Sequence, residues 1–148
     1  MDVKVQLNEA LKAAMVAKDS ARRDVIRLMQ SAVKQVEIDS QKTLADDDVL
    51  AILQKEVKKR RESADEARKA GREDIATSEE AEIAIIETFL PRQLTREEIS
   101  AIVRQTIEQT GVTSPKEMGK LMGALMPKVK GIADGKLVNE VVREQLSS

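Results

Sequence analysis

Residues 118–142 read M-G-K-L-M-G-A-L-M-P-K-V-K-G-I-A-D-G-K-L-V-N-E-V-V, and this stretch decides the fold. Leu121, Met122, Leu125 and Met126 recur at the spacing of one helix face. Pro127 ends or kinks that helix, because its ring clashes with a continuing turn. A second helix starts near Asp134, with Leu137, Val138, Val141 and Val142 inward. Gly119 and Gly123 lie four apart in the first helix, where each costs about 1 kcal/mol relative to alanine. Two such costs on one face predict a closely packed backbone. A neighbouring helix of the same domain is the first explanation for Gly119 and Gly123; an RNA backbone or a partner helix is the second.

Upstream, Ser114-Pro115-Lys116-Glu117 gives the clearest helix start in the chain: serine at N-cap, proline at N1, glutamate at N3. Before it, Thr95 and Glu98 form a capping box that opens a helix with Ile99, Ile102, Val103 and Ile107 inward; Gly111 stops it. Residues 91–94 read as a linker. Four further helical patterns precede that linker. The first places Val3, Leu7, Leu11 and Ala14 on one face and runs to about Lys18. The second is capped by Asp19 or Ser20 and buries Val25, Leu28, Met29, Ala32 and Val36. The third opens on Asp46, Asp47 and Asp48, where the helix dipole favours negative charge, and stops at Ala70-Gly71. Its apolar positions are Val49, Leu50, Leu53, Val57, Ala64 and Ala67. The fourth starts between Arg72 and Ser78, with Thr77 and Glu80 offering a capping box, and buries Ile83, Ile86 and Leu90. There is no strand pattern. The expected architecture is all-α: an N-terminal four-helix bundle-like subdomain over residues 1–94 and a small three-helix tail-like subdomain over 95–148.

Composition narrows the function. Among 148 residues, 34% are charged, 41% are hydrophobic and 1% are aromatic, as in a helical protein with enough apolar content for a core. The absence of Cys rules out disulfides, thiolate metal sites and a cysteine nucleophile, and the absence of His removes the commonest general base. There is no G-x-x-x-x-G-K-[ST] phosphate loop, and neither Ser31 nor Ser114 sits in a nucleophile elbow. Carboxylate clusters such as Asp46–Asp48 and Glu79-Glu80 lie at expected helix starts, where capping explains them. No catalytic residue, metal site or cofactor is expected. No apolar run reaches the ~18 residues of a membrane span. The N-terminal residues show no secretory signal pattern, so a cytoplasmic protein with no membrane partner is the expectation.

The stretch Gly119-Lys120-Leu121-Met122-Gly123, with Met126, Lys130-Gly131, Ala133 and Lys136-Leu137-Val138-Asn139, resembles the signature of the GatB/YqeY family. Residues 22–34, residues 55–71 and Phe89-Leu90-Pro91-Arg92-Gln93-Leu94 are similar to its free-standing YqeY-like members, so the resemblance covers nearly the whole chain. In the B subunit of the tRNA-dependent amidotransferase the related module is a helical tail that touches tRNA and carries no catalytic groups. The resemblance therefore implies an accessory role near tRNA.

The net charge of −1 gives no global basic signal, but from Lys116 to Lys136 five lysines stand against Glu117 and Asp134, a local net of +3. Lysines ordinarily form a solvated surface; this clustering also suits phosphate neutralisation. Lys120, Lys128, Lys130 and Lys136 are the candidate RNA contacts. The basic runs Arg23, Arg27, Lys34 and Lys55, Lys58, Lys59, Arg60, Arg61 have acids three or four residues away and read as self-neutralised helix surfaces. Phe89 is the only aromatic, so there is no platform for stacking single-stranded bases. RNA binding would use phosphates and shape, which suits tRNA or another structured RNA. Two other functions fit the sequence: a protein–protein interaction module using the glycine face or an exposed helix stripe, and a component or regulator of glutamine-dependent amidation of aminoacyl-tRNA.

Overall fold

A computed structural model describes residues 2–147. They form seven α-helices and one 3-10 turn, with no strand among the described residues, so the protein is all-α. The helices are α1 (Val3–Val16), α2 (Ser20–Ser40), α3 (Asp46–Lys69), α4 (Glu73–Glu87), α5 (Arg96–Thr110), α6 (Met118–Val129) and α7 (Gly135–Ser147), with the turn Pro115–Glu117 entering α6. Internal contacts divide the chain into Met1–Pro91 and Arg92–Ser148. Residues 92–94, read from the sequence as linker and as the end of the first unit, belong to the second. The Leu94 N–H donates to the Ile132 carbonyl at 2.7 Å, and the Gln93 side-chain amide donates to the Gly131 carbonyl at 3.2 Å.

In the first unit, α1–α4 share one core of Val3, Leu7, Ile26, Met29, Val49, Leu53, Ile86 and their neighbours. Caps follow the local chemistry. Asp2 accepts from the Lys4 and Val5 amides, and Asp19, not Ser20, caps α2 by accepting from the Arg22 amide at 3.1 Å. Asp46 opens α3 and also accepts from the Val3 amide at 3.0 Å, tying the starts of two helices together. Two expectations fail here. The buried face of α2 is Val25, Ile26, Met29 and Val33; Leu28 is 50% exposed and Val36 38% exposed. The inward row continues through Ile26 and Val33 to Glu37, whose carboxylate takes the Lys4 ammonium and the Leu44 amide. Thr77 lies inside α4 and caps nothing, because α4 begins at Glu73. That early start buries Ala76 against Ala64 and Ala67 of α3, a close helix contact that only small side chains permit.

In the second unit, α5, α6 and α7 enclose Ile99, Val103, Val112, Leu121, Leu125, Val129, Val138, Val141, Val142 and Leu146. The Thr95–Glu98 capping box forms: Thr95 accepts from the Glu98 amide at 3.2 Å and Glu98 accepts from the Thr95 amide at 3.1 Å. Gly111 terminates α5 at φ 72, a left-handed cap that glycine adopts without strain. Glu98 also accepts two hydrogen bonds from Arg92, at 2.9 and 2.7 Å. The Arg92 guanidinium, and then the Thr95 amide, hold the Glu98 carboxyl down from 4.5 to about 2. The stabilisation from this lowered value is present above the ordinary carboxylate range and is lost as pH falls through about 2. A carboxyl-detected NMR titration should place Glu98 near that value, and Arg92→Ala should move it upward; an unmoved midpoint would show that Arg92 is not the cause.

Candidate nucleic-acid interface

The start of α6 differs from the sequence reading. Ser114 makes no side-chain cap, and Pro115–Glu117 is a 3-10 turn. Glu117 instead reaches back to the Thr113 hydroxyl and amide at 3.4 and 3.5 Å. Along α6, Leu121, Leu125 and Val129 point into the core, while Gly119, Lys120, Gly123 and Pro127 lie on the exposed side. A Cβ added at Gly119 or Gly123 would meet nothing within 4 Å. The expected close packing of a neighbouring helix of this chain on that face is therefore overturned. The two glycines leave a bare stretch of helix backbone facing outward.

The four candidate lysines do not converge on one point. Lys120 projects from the outer side of α6, whereas Lys128 turns toward α5, where its ammonium donates to the Thr106 hydroxyl at 3.1 Å and the Gln109 side-chain carbonyl at 2.8 Å. Thr106, fully buried, donates its own hydroxyl proton to the Ile102 carbonyl at 2.8 Å. Lys128 is thus held by two neutral acceptors and keeps one donor and its full charge. Lys130 caps the end of α6, and Lys136 sits in the first turn of α7. The connection between them is pinned by the Gln93 and Leu94 hydrogen bonds to Gly131 and Ile132. Asp134 accepts from the Lys136 amide at 3.1 Å, so a backbone donor that could have met an anion there is already used.

Two arginines of this unit are paired, while Arg104 and Arg143 form no ion pair among the described residues. Arg92 pairs with Glu98, and Arg96 pairs with Glu144 and, at 3.5 Å, with Glu140. Glu117 and Asp134 are occupied by Thr113 and the Lys136 amide. Among the described residues, Lys116, Lys120, Lys128, Lys130 and Lys136 form no ion pair. Sequence reasoning missed three residues that bear on this surface. Thr106 and Gln109 orient Lys128, and nothing in their spacing marks them. Arg143 follows Lys136 at i+7 and Asn139 at i+4, so the three share an exposed stripe of α7; that spacing was readable. By contrast the arginines of α3 are met by acids of α3 and α4: Arg60 meets Glu56 and Glu82, Arg61 meets Glu87, and Arg68 meets Glu73 and Glu80, while Lys59 meets Glu56.

The chain, with this glycine- and lysine-marked C-terminal unit, matches the model of the Yqey-like protein family over residues 4–146, and the protein belongs to that family. Curated relatives include the protein named altered inheritance of mitochondria protein 41, mitochondrial. In Vanderwaltozyma polyspora it is 40% identical over 85 residues, covering 57% of this chain and 46% of that protein. In Kluyveromyces lactis it is 37% identical over 113 residues, covering 74% and 60%. One subunit of a glutamyl-tRNA(Gln) amidotransferase from Thermococcus sibiricus is 46% identical over 48 residues, 32% of this chain and 8% of that protein. The chain spans about half the length of the first of these relatives. Their names place the fungal proteins in mitochondria, and this overturns the cytoplasmic expectation drawn from the N-terminal residues. Among the described residues no helix is long and apolar enough to cross a membrane.

Proposed function

We propose that the chain is a non-catalytic accessory protein whose second unit holds tRNA or another folded RNA by its phosphate backbone. The observation that carries this reading is the set of five lysines, 116, 120, 128, 130 and 136, which form no ion pair among the described residues, while Glu98, Glu140 and Glu144 are engaged by arginines and Glu117 and Asp134 by Thr113 and the Lys136 amide. Unneutralised lysines on a folded surface attract phosphate. Lys128 adds a cation whose orientation is already fixed, which lowers the entropy lost on contact. The bare helix at Gly119 and Gly123 lets a ribose-phosphate chain approach more closely than a side chain would allow. The relative named as part of a glutamyl-tRNA amidotransferase supports tRNA as the RNA. The missing His and Cys support a binding role over a catalytic one.

The same relative favours a second reading: this protein is a component or regulator of glutamine-dependent amidation of aminoacyl-tRNA. Rescue of amidation that requires the other amidotransferase chains would mark it. The test of the main reading is a titration of tRNA against the full chain over a range of salt. With three or four phosphate contacts the log–log slope should be near about −3, and the dissociation constant roughly micromolar or weaker at physiological salt. A flat salt dependence would remove the phosphate contacts from this reading.

A further inference from the structure

We propose that the groove between α1 and α2 is a docking surface for an acidic amphipathic helix of a partner protein. Lys4 and Leu7 of α1 and Gln30, Val33, Lys34 and Glu37 of α2 enclose a cleft of about 280 Å³. The two helices are antiparallel neighbours joined by Ala17, Lys18 and Asp19, so the lining rows continue past the cleft. On α1 the row Leu7, Leu11, Met15 follows the helical repeat, and Met15 is 51% exposed. On α2 the facing row runs back from Lys34 through Gln30 and Arg27 to Arg23. The result is an aliphatic floor with a cationic rim, about three helical turns long.

The charge on this rim is only partly balanced from within. Among the described residues Arg27 and Lys34 form no ion pair, although Lys34 lies close enough to Glu37 to help hold its carboxyl down. Arg23 meets only Asp24, in an exposed pair at 2.9 Å, and Glu37 is taken by Lys4 and the Leu44 amide. Glu9 lies two residues from both Leu7 and Leu11 and so falls on the opposite side of α1. The arginines of α3, in contrast, are each met by acids from α3 or α4. A cationic rim over an aliphatic floor is complementary to a helix with leucine-like side chains on one stripe and carboxylates beside it. It suits RNA less well: the floor has no aromatic ring, and Phe89 already lies under the Arg22 guanidinium at 5.3 Å.

The probe is a labelled helical peptide of about 15 residues, with leucines at i, i+3, i+4 and i+7 and glutamates elsewhere, titrated into the full chain. Binding should occur, with amide shifts concentrated on α1 and α2. The double variant Arg27→Glu/Lys34→Glu, whose exposed positions leave the fold intact, should weaken it by about tenfold. A peptide with lysines for glutamates, or alanines for leucines, should bind far less. Four results would overturn the proposal: no binding of the acidic peptide; equal binding of the lysine version; shifts confined to α5–α7; or loss of tRNA or anionic-vesicle binding in the double variant while the peptide still binds.

Discussion

Replacing Leu125 with alanine should cost the second unit about 3 kcal/mol, within the range for removing a fully buried leucine from a packed core. Leu125 has no exposed surface and shares its core with nine other buried residues of α5, α6, α7 and the loop at Val112. A unit this small buries only about 60% of its unfolded surface, so it has little stability to spare. Amide protection in α5, α6 and α7 should therefore fall about a hundredfold, at roughly 1.4 kcal/mol per decade. Protection in α1–α4 should hold, because their core shares no residue with this one. Unchanged protection in α5–α7 would show that Leu125 does not fill the core as described.

The second large effect should follow from Arg60→Met. The Arg60 side chain, 12% exposed, lies between two carboxylates. Its Nε donates to Glu82 Oε2 at 2.9 Å, and its Nη1 donates to Glu56 Oε1 and to the Glu56 carbonyl, both at 3.1 Å. Removing the guanidinium leaves the Glu82 carboxylate of α4 without its cation, facing a Glu56 that keeps only the exposed Lys59 at 3.5 Å. The cost should be about 1–3 kcal/mol, since a partly buried charge without its partner keeps its desolvation penalty. Adding Glu82→Gln should recover part of that loss, because it removes one of the two opposed charges. Urea unfolding of the parent, the single and the double variant measures both steps. A double variant no more stable than the single would show that repulsion is not the cause.

The helices were legible because each announced itself in more than one way. Thr95 with Glu98, and Gly111 after Ile107, marked both ends of α5 by capping chemistry that does not depend on tertiary contacts. Where a local cap misled, tertiary contacts decided. The start of α4 at Glu73 falls in the range the sequence allowed, but Thr77 caps nothing, and Ala76 is buried against Ala64 and Ala67. On α2 the apolar pattern pointed to Leu28 and Val36, while packing chose Ile26 and Val33, whose row ends in the charged Glu37. The candidate site was legible as composition and only partly as geometry. The lysine cluster could be counted, but its lack of ion pairs could not, since that depends on which acids Arg92 and Arg96 capture across the fold. The spacing of Gly119 and Gly123 showed that side chains were absent there, without showing whether the bare face pointed inward. Lys128 required the buried Thr106, which sits among apolar positions and carries no signal of its own.

Phosphate contacts by the lysines of the second unit are the centre of the proposed function. The most direct measurement compares two double charge reversals in tRNA titrations at several salt concentrations. Lys128→Glu/Lys130→Glu should weaken binding and reduce the magnitude of the log–log slope by roughly 1.4–1.8, the loss of two contacts. Lys58→Glu/Arg61→Glu should change little, because Arg61 is already met by Glu87 at 3.9 Å on a helix rich in paired acids. If both variants bind tRNA like the parent, or if the parent binds with no dependence on salt, the second unit does not hold RNA through these lysines.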